Sequence, residues 1–166
     1  MGVEIERKFL VDPAKLPAPE TSFAVEQAYL DHARIKARVR ITGDRAFLTL
    51  KGGGSGLTRA EFEYPIPVED ARELLASFAP AGRIEKVRRH YRHGGRLWEV
   101  DVFAGANDGL VIAEVEIDSE DDDVETPPWV DREVSGDPRF FNANLARRPY
   151  PEWKDEIADN PPRTGR

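Results

Sequence analysis

The sequence has 166 residues, of which 40% are hydrophobic and 33% charged, enough for one soluble domain with a core. It contains no cysteine, which excludes disulfides and thiolate chemistry, and its three histidines lack the spacing of a zinc-binding motif. Any metal is therefore expected on oxygen ligands, which hard cations prefer. No segment is as long and apolar as a membrane span or a signal peptide, so we expect a cytoplasmic protein without a membrane partner.

The net charge of −7 is distributed unevenly along the chain. Residues 118–125 hold six acids and no base, whereas residues 34–51 and 83–96 each carry six Lys or Arg against a single acid. Two cationic segments in an acidic chain suit a small, confined anion better than a long nucleic-acid surface. We therefore expect no nucleic-acid partner. The oligomeric state is not readable from the sequence.

In chain order, alternation of apolar and polar residues predicts five strands before the first helix. Breaks at Pro13 and Pro17 separate the first two strands, and Gly43-Asp44 is a hairpin turn between the third and the fourth. The predicted strands are 1–11, 23–30, 35–41, 46–51 and 58–66.

The second half of the chain begins with the clearest helix, from Pro67 to Phe78, where Val68, Ala71 and Leu75 recur at helical spacing. Strands follow at 83–92, 97–103 and 110–117, and a short helix at 137–145 has Asp137 as its N-cap. We expect one domain over residues 1–150 and a frayed polar tail over 151–166. The fold class is mainly β (α+β), because eight antiparallel strands can close a barrel around a small ligand, with a few helices outside.

Charged residues alternate with apolar ones in nearly every predicted strand. In the first strand Glu4, Glu6 and Lys8 share one face, about 7 Å apart in steps of two residues. Like-charged neighbours such as Arg38 and Arg40 repel each other unless something neutralises them. A solvated face would explain any one strand, whereas a charged lumen that holds a polyanion and cations explains all of them together. The other charged pairs are Glu61 and Glu63, Lys86 and Arg88, Glu99 and Asp101, and Glu114 and Glu116.

This series resembles the CYTH domain, or triphosphate tunnel metalloenzyme, superfamily. The likeness rests on Glu4-x-Glu6-x-Lys8, Arg38-x-Arg40, Lys51-Gly52 and the later pairs, in the family's order from about residue 2 to residue 150. The segment from Gly136 to Leu145 is similar to the C-terminal segment of the short bacterial members. The resemblance implies an eight-stranded antiparallel β-tunnel that binds a small anionic triphosphate and one or two Mg²⁺ or Mn²⁺ ions.

The resemblance also assigns roles to individual residues. A Tyr–Lys pair that assists hydrolysis in short bacterial phosphatases corresponds to Tyr29 and Lys86. Glu99 and Asp101 share a face of their strand, so the sequence leaves open which of the two binds metal. Phosphate contacts are implied for Lys8, Arg38, Arg40, Lys51, Arg59, Lys86 and Arg88. Metal contacts, direct or through water, are implied for Glu4, Glu6, Glu61, Glu63, Asp101, Glu114 and Glu116.

The function expected from this likeness is metal-dependent hydrolysis of inorganic triphosphate, with nucleoside triphosphates as poorer substrates. Phosphoryl transfer needs positioning and neutralised oxygens rather than a catalytic Cys or His, so the composition is no obstacle. Three alternatives stay open: a class IV adenylate cyclase, a thiamine triphosphatase, and a non-catalytic polyphosphate or nucleotide sensor. The full acidic set favours an enzyme over a sensor, because binding alone needs only the basic residues.

Overall fold

The computed structural model of the protein describes residues 5–29, 35–52, 61–78, 82–119 and 121–159. Three α-helices lie among them: α1 (Val68–Phe78), α2 (Asn142–Arg147) and α3 (Glu156–Asp159). The strands are β1 (Ile5–Val11), β2 (Thr21–Tyr29), β3 (Ile35–Thr42), β4 (Arg45–Gly52), β5 (Glu61–Ile66), β6 (Arg83–His93), β7 (Arg96–Ala104), β8 (Val111–Ile117) and β9 (Val130–Glu133).

All strands belong to one antiparallel sheet in the order β5-β4-β3-β2-β6-β7-β8-β1-β9. The prediction of a mainly antiparallel β domain is confirmed, and α1 packs outside the sheet as expected, whereas α2 and α3 pack on the inner face. The closed, eight-stranded barrel needs correction, because the described residues form an open, nine-stranded sheet with β5 and β9 at its edges. The ninth strand was not predicted, and it pairs with the C-terminal half of β1, where Phe9 lies opposite Glu133.

The convex face of the sheet buries the apolar half of each alternating strand. One cluster joins β1, β7 and β8 through Phe9, Trp98 and Val115, and Trp129 packs edge-to-face on Trp98. A second cluster places α1 against β2, β3 and β4, with Ala71 and Leu75 fully buried. This burial supplies the hydrophobic stabilisation that leaves the opposite face free for charged residues.

The C-terminal segment packs against the concave face rather than the convex one. Leu10, Ile84, Phe103 and Ile112 share faces with charged residues of the same strands, and they pack with Phe140, Leu145 and Trp153 in one cluster. Residues 151–159 are therefore not the frayed tail that their polar composition suggested, since Trp153 and Ile157 are buried. The segment thus fills one end of the space that the sheet encloses.

The approach of α2 to the sheet depends on Gly82. This residue has φ of +94°, and a Cβ atom there would lie 2.4 Å from the carbonyl oxygen of Ala146. Asp137 is an N-cap, as predicted, because its side chain accepts a hydrogen bond from Arg139 N. It caps the 3₁₀ turn Pro138–Phe140, however, and the α-helix begins only at Asn142. Asn107 holds the far end of the segment by accepting a 2.8 Å hydrogen bond from Tyr150 N.

Candidate active site

A cavity of about 660 Å³ lies on the concave face of the sheet. Its walls come from all eight strands β1 to β8 and from Asn142 at the start of α2, so the sheet curls around this space. Most of the charged residues singled out from the sequence meet here. The charged residues that line it are Glu6, Lys8, Arg38, Arg40, Glu63, Lys86, Arg88, Glu99 and Glu114.

The wall formed by β3 carries unsatisfied hydrogen-bond donors. Arg38 Nε, Arg40 Nε and the Thr42 hydroxyl are buried without a hydrogen-bond partner among the described residues. The Glu63 carboxylate lies near both guanidinium groups, at 3.6 Å from Arg38 and 3.3 Å from Arg40. Burial and the adjacent Arg38 lower the pKa of Arg40. Buried donors normally find partners, so this wall is suited to an anion.

The opposite wall, formed by β1, β7 and β8, is acidic. Lys8 lies between its carboxylates, with its ammonium in contact with Glu114 and 3.5 Å from Glu6. Although nearly half of the Glu6 side chain is exposed, burial of the remainder and repulsion by Glu114 raise the pKa of Glu6. Burial alone would lower the pKa of Lys8, but Glu114 and Glu6 outweigh it and raise that pKa.

Between the two walls, Asp101 joins two basic residues of β6. It is 1% exposed, contacts the Lys86 ammonium and accepts two 2.7 Å hydrogen bonds from Arg88. Burial and the neighbouring Arg88 lower the pKa of Lys86, whereas Arg88 is held charged by contacts to Asp101, Glu99 and Glu114. Asp101 is thus the shared counter-ion of Lys86 and Arg88, while the more exposed Glu99 lines the cavity.

Glu116 lies slightly apart from the main cavity. It lines an adjoining cavity of about 330 Å³ that shares Glu6, Glu99 and Glu114 with the larger one. The two cavities therefore share three carboxylates, and Glu116 adds a fourth to the smaller one. Arg96 lines the smaller space and also pairs with Asp122 in the acidic loop at 3.2 Å.

Tyr29 lies opposite Arg38 of the basic wall in the strand register, and it also packs against the cluster at the filled end of the enclosed space. Its hydroxyl accepts a 3.1 Å hydrogen bond from Gln27, and its ring packs with the cluster that contains Ile84. Lys86 lies opposite Val25, four residues away along β2. Glu4 and Arg59 lie outside the described residues, as do the side chains of Lys51 and Glu61, so their expected roles stay predictions.

Several uncharged residues in or beside the cavity were not predicted from the sequence. Gln27 is 2% exposed and lies at register with Arg40, and Thr49, although fully buried, donates a 3.0 Å hydrogen bond to Glu63. Asn142 reaches the cavity from α2. Their strand positions placed Gln27 and Thr49 on the concave face, but nothing in the sequence showed that Asn142 would reach it.

The acidic wall has the donor chemistry of a Mg²⁺ or Mn²⁺ site. These hard cations bind carboxylate oxygens. A divalent cation would also relieve the mutual repulsion of Glu6 and Glu114. Among the described residues no three acids or histidines converge into a ready ligand set. Lys8 and Arg88 instead occupy the oxygens of Glu114. The residues present therefore fit a divalent cation, which would compete there with Lys8 and Arg88.

Comparison with known proteins gives consistent matches over nearly the whole chain. The family model described as the CYTH domain matches residues 2–150. An inorganic triphosphatase of Acetivibrio thermocellus is 42% identical over 156 residues, 93% of this chain and 100% of that protein. An inorganic triphosphatase of Nitrosomonas europaea is 41% identical over 149 residues, 86% of this chain and 96% of that protein. The crystal structure of an inorganic triphosphatase superposes with a TM-score of 0.72 at 38% identity, covering 89% of this chain and 96% of that one.

No helix among the described residues is both long and apolar enough to cross a membrane.

Proposed function

The chain belongs to the CYTH domain family, and on that premise we propose that it hydrolyses inorganic triphosphate in the cavity enclosed by its sheet. The names of its relatives at 41% and 42% identity support this substrate. The single observation that carries the proposal is the set of buried, unpartnered donors on Arg38, Arg40 and Thr42. A row of phosphate oxygens is the ligand that would satisfy them.

In the proposed reaction the substrate lies between the basic wall and the acidic wall. Arg38 and Arg40 bind its oxygens with their free Nε donors, and Lys8 and Lys86 neutralise charge that builds up on the transferred group. Glu6, Glu99 and Glu114 would hold a divalent cation, and Glu116 in the adjoining space would be a further ligand. When bound, Mg²⁺ or Mn²⁺ polarises phosphate oxygens and lowers the pKa of a coordinated water.

Lys86 is suited to a second task in the same reaction. The lowered pKa of its buried ammonium brings it closer to donating a proton at neutral pH, and Asp101 fixes its position. We propose that Lys86 protonates or hydrogen-bonds the leaving phosphate oxygen. The partner role of Tyr29 rests on the family likeness.

The test is phosphate release from tripolyphosphate with Mg²⁺ or Mn²⁺, in the wild type and in Glu4→Ala/Glu6→Ala. We expect turnover in the wild type that EDTA abolishes, and a loss of roughly a hundredfold or more in the double variant. Glu69→Gln is the control, because Glu69 is exposed in the first turn of α1, far from the cavity. Turnover that survives the double change would overturn the assignment, and binding without turnover would indicate a sensor instead.

A further inference from the structure

A row of paired side chains crosses the concave face of the sheet at the acidic wall. Glu114 lies opposite Lys8 on one neighbouring strand and opposite Glu99 on the other. Glu99 in turn lies opposite His90 of β6. Side chains that face each other across two strands are close enough to touch. His90 is therefore the neighbour of Glu99 on the side away from Glu114, and the proposed reaction gives it no task.

The imidazole of His90 is held beside Glu99 with one nitrogen unpartnered. Its Nε2 lies 3.3 Å from Glu99 Oε1. The two atoms do not form a hydrogen bond, however, and Nε2 is buried without a partner among the described residues. Phe23 meets the imidazole edge-on, with 5.2 Å between centroids and 89° between planes, which restricts rotation of the ring. Since buried polar atoms normally find partners, the Glu99 carboxylate is the group that would satisfy this nitrogen.

The two oxygens of Glu99 have different neighbours. Oε2 contacts Arg88, whereas Oε1 is the oxygen beside His90. Arg88 also binds Asp101 and Glu114, so it stays paired if Glu99 moves onto a cation. A carboxylate that binds a metal through one oxygen is held in orientation by a hydrogen bond to the other. Neutral imidazole beside a carboxylate carries its proton on the facing nitrogen, because a lone pair there would be repelled.

We propose that His90 is a positioning residue for Glu99, to which it donates a hydrogen bond through Nε2 when Glu99 binds a divalent cation. The inference rests on the proposed function, because it takes Glu99 as a ligand of Mg²⁺ or Mn²⁺. His90 contacts neither the substrate nor the cation in this scheme. It acts on the affinity for the cation, since an oriented carboxylate loses less freedom on binding.

The experiment measures Mn²⁺ binding, from the electron paramagnetic resonance signal of the free ion, and the Mn²⁺ dependence of tripolyphosphate hydrolysis. His90→Phe keeps a ring against Phe23 and removes the donor. It should weaken Mn²⁺ roughly tenfold or more in both measurements, while kcat at saturating Mn²⁺ stays close to that of the wild type. His90→Gln should restore most of the affinity, because its amide places an N–H donor near the position of Nε2. In a Glu99→Gln background His90→Phe should have no further effect, since His90 acts through that carboxylate.

His93→Phe is the matched control. His93 lies three residues further along β6 on the opposite face, and its Nε2 is also 3.3 Å from a carboxylate oxygen, that of Glu125. This variant should bind Mn²⁺ as the wild type does. If it loses as much affinity as His90→Phe, the effect is not specific to Glu99 and the role of His90 is refuted.

The outcomes separate this proposal from the function on which it rests. Unchanged Mn²⁺ affinity in His90→Phe, or a lower kcat without a change in affinity, would overturn the role of His90 alone. Binding of Mn²⁺ that depends on His90 in a wild type that does not hydrolyse tripolyphosphate would refute the proposed function and leave the role of His90 standing. A wild type that neither binds nor requires Mn²⁺ would refute both. Melting curves identify an unfolded variant, and His90→Leu replaces His90→Phe if the larger ring is not accommodated.

Discussion

Asp101→Asn should be strongly destabilising, because it removes the charge shared by Lys86 and Arg88. The carboxylate is 1% exposed, contacts the Lys86 ammonium and accepts two 2.7 Å hydrogen bonds from Arg88. An amide has almost the same shape, but it presents an NH₂ group to one of these donors. The Lys86 side chain is itself only 3% exposed, so water cannot replace the lost partner.

Removing one partner of a buried ion pair costs about 3–5 kcal/mol, because the other charge stays buried and uncompensated. Each kcal/mol lowers the melting temperature of a domain of this size by about 2–4 °C. The variant should therefore melt roughly 6–20 °C below the wild type. Urea titration should give a lower midpoint with an unchanged slope, since the surface exposed on unfolding is the same.

The pH dependence of this effect has a definite sign. Burial alone would raise the pKa of Asp101, but Lys86 and Arg88 outweigh it and hold that pKa below its usual range. A carboxylate with a lowered folded-state pKa stabilises fully above its unfolded pKa of about 3.9, and the contribution disappears as the pH falls through the folded value. The gap between wild type and Asp101→Asn should be full at pH 7 and should narrow below about pH 4.

Asp131→Asn is the control for this measurement, because Asp131 is exposed on β9 and the change should shift stability by no more than about 0.5 kcal/mol. If Asp101→Asn lowers the unfolding free energy by less than about 1 kcal/mol at pH 7, Asp101 is not the counter-ion that Lys86 and Arg88 depend on. A gap that stays constant at acidic pH would show that Asp101 is not ionised in the folded protein.

Two further expectations concern adjacent residues that point in opposite directions. Lys8→Ala should lower kcat/KM for tripolyphosphate roughly a hundredfold, because it removes a cation from the cavity, whereas Arg7→Ala should leave it nearly unchanged, since Arg7 binds Glu133 outside at 2.8 Å. Equal effects of the two changes on turnover would contradict the assigned faces. Phe140→Ala should cost about 3–5 kcal/mol of unfolding free energy, because the ring is 1% exposed in the C-terminal cluster, and the exposed Phe141 provides the matched control. Similar urea midpoints for both variants would show that the segment does not pack as described.

Much of the cavity could be predicted because alternation along a strand decides which face a residue occupies. Glu6 and Lys8 fell on one face and Arg7 on the other, and the structure confirms this for all three. Alternation does not show which residues on the same face are buried and which are exposed to the cavity. Asp101 and Glu99 were therefore indistinguishable in sequence, although one is buried between two cations and the other lines the cavity.

Other features were missed because they depend on contacts between distant parts of the chain. The strand β9 has only four residues, one of them apolar, so its pairing with β1 is visible only once Phe9 and Glu133 are adjacent. Trp153 stands in a polar stretch whose composition suggested a frayed tail, yet it packs edge-on against Phe140 at 5.2 Å. Trp153 and Ile157 are both buried in this cluster, but the average composition of a polar segment does not reveal two such residues.

The order of folding during synthesis is affected by the C-terminal residues that pack on the concave face of the sheet, which are Phe140, Leu145 and Trp153. These residues follow every strand in the chain, so the ribosome releases β1 to β9 before the segment that fills one end of their concave face. Until then Ile84, Phe103 and Ile112 face an empty space, and Asn142 has not reached the cavity. A nascent chain therefore has Arg38 and Arg40 on its sheet well before the C-terminal segment fills one end of the concave face, so the cavity reaches its final shape only after α2 and α3 have docked.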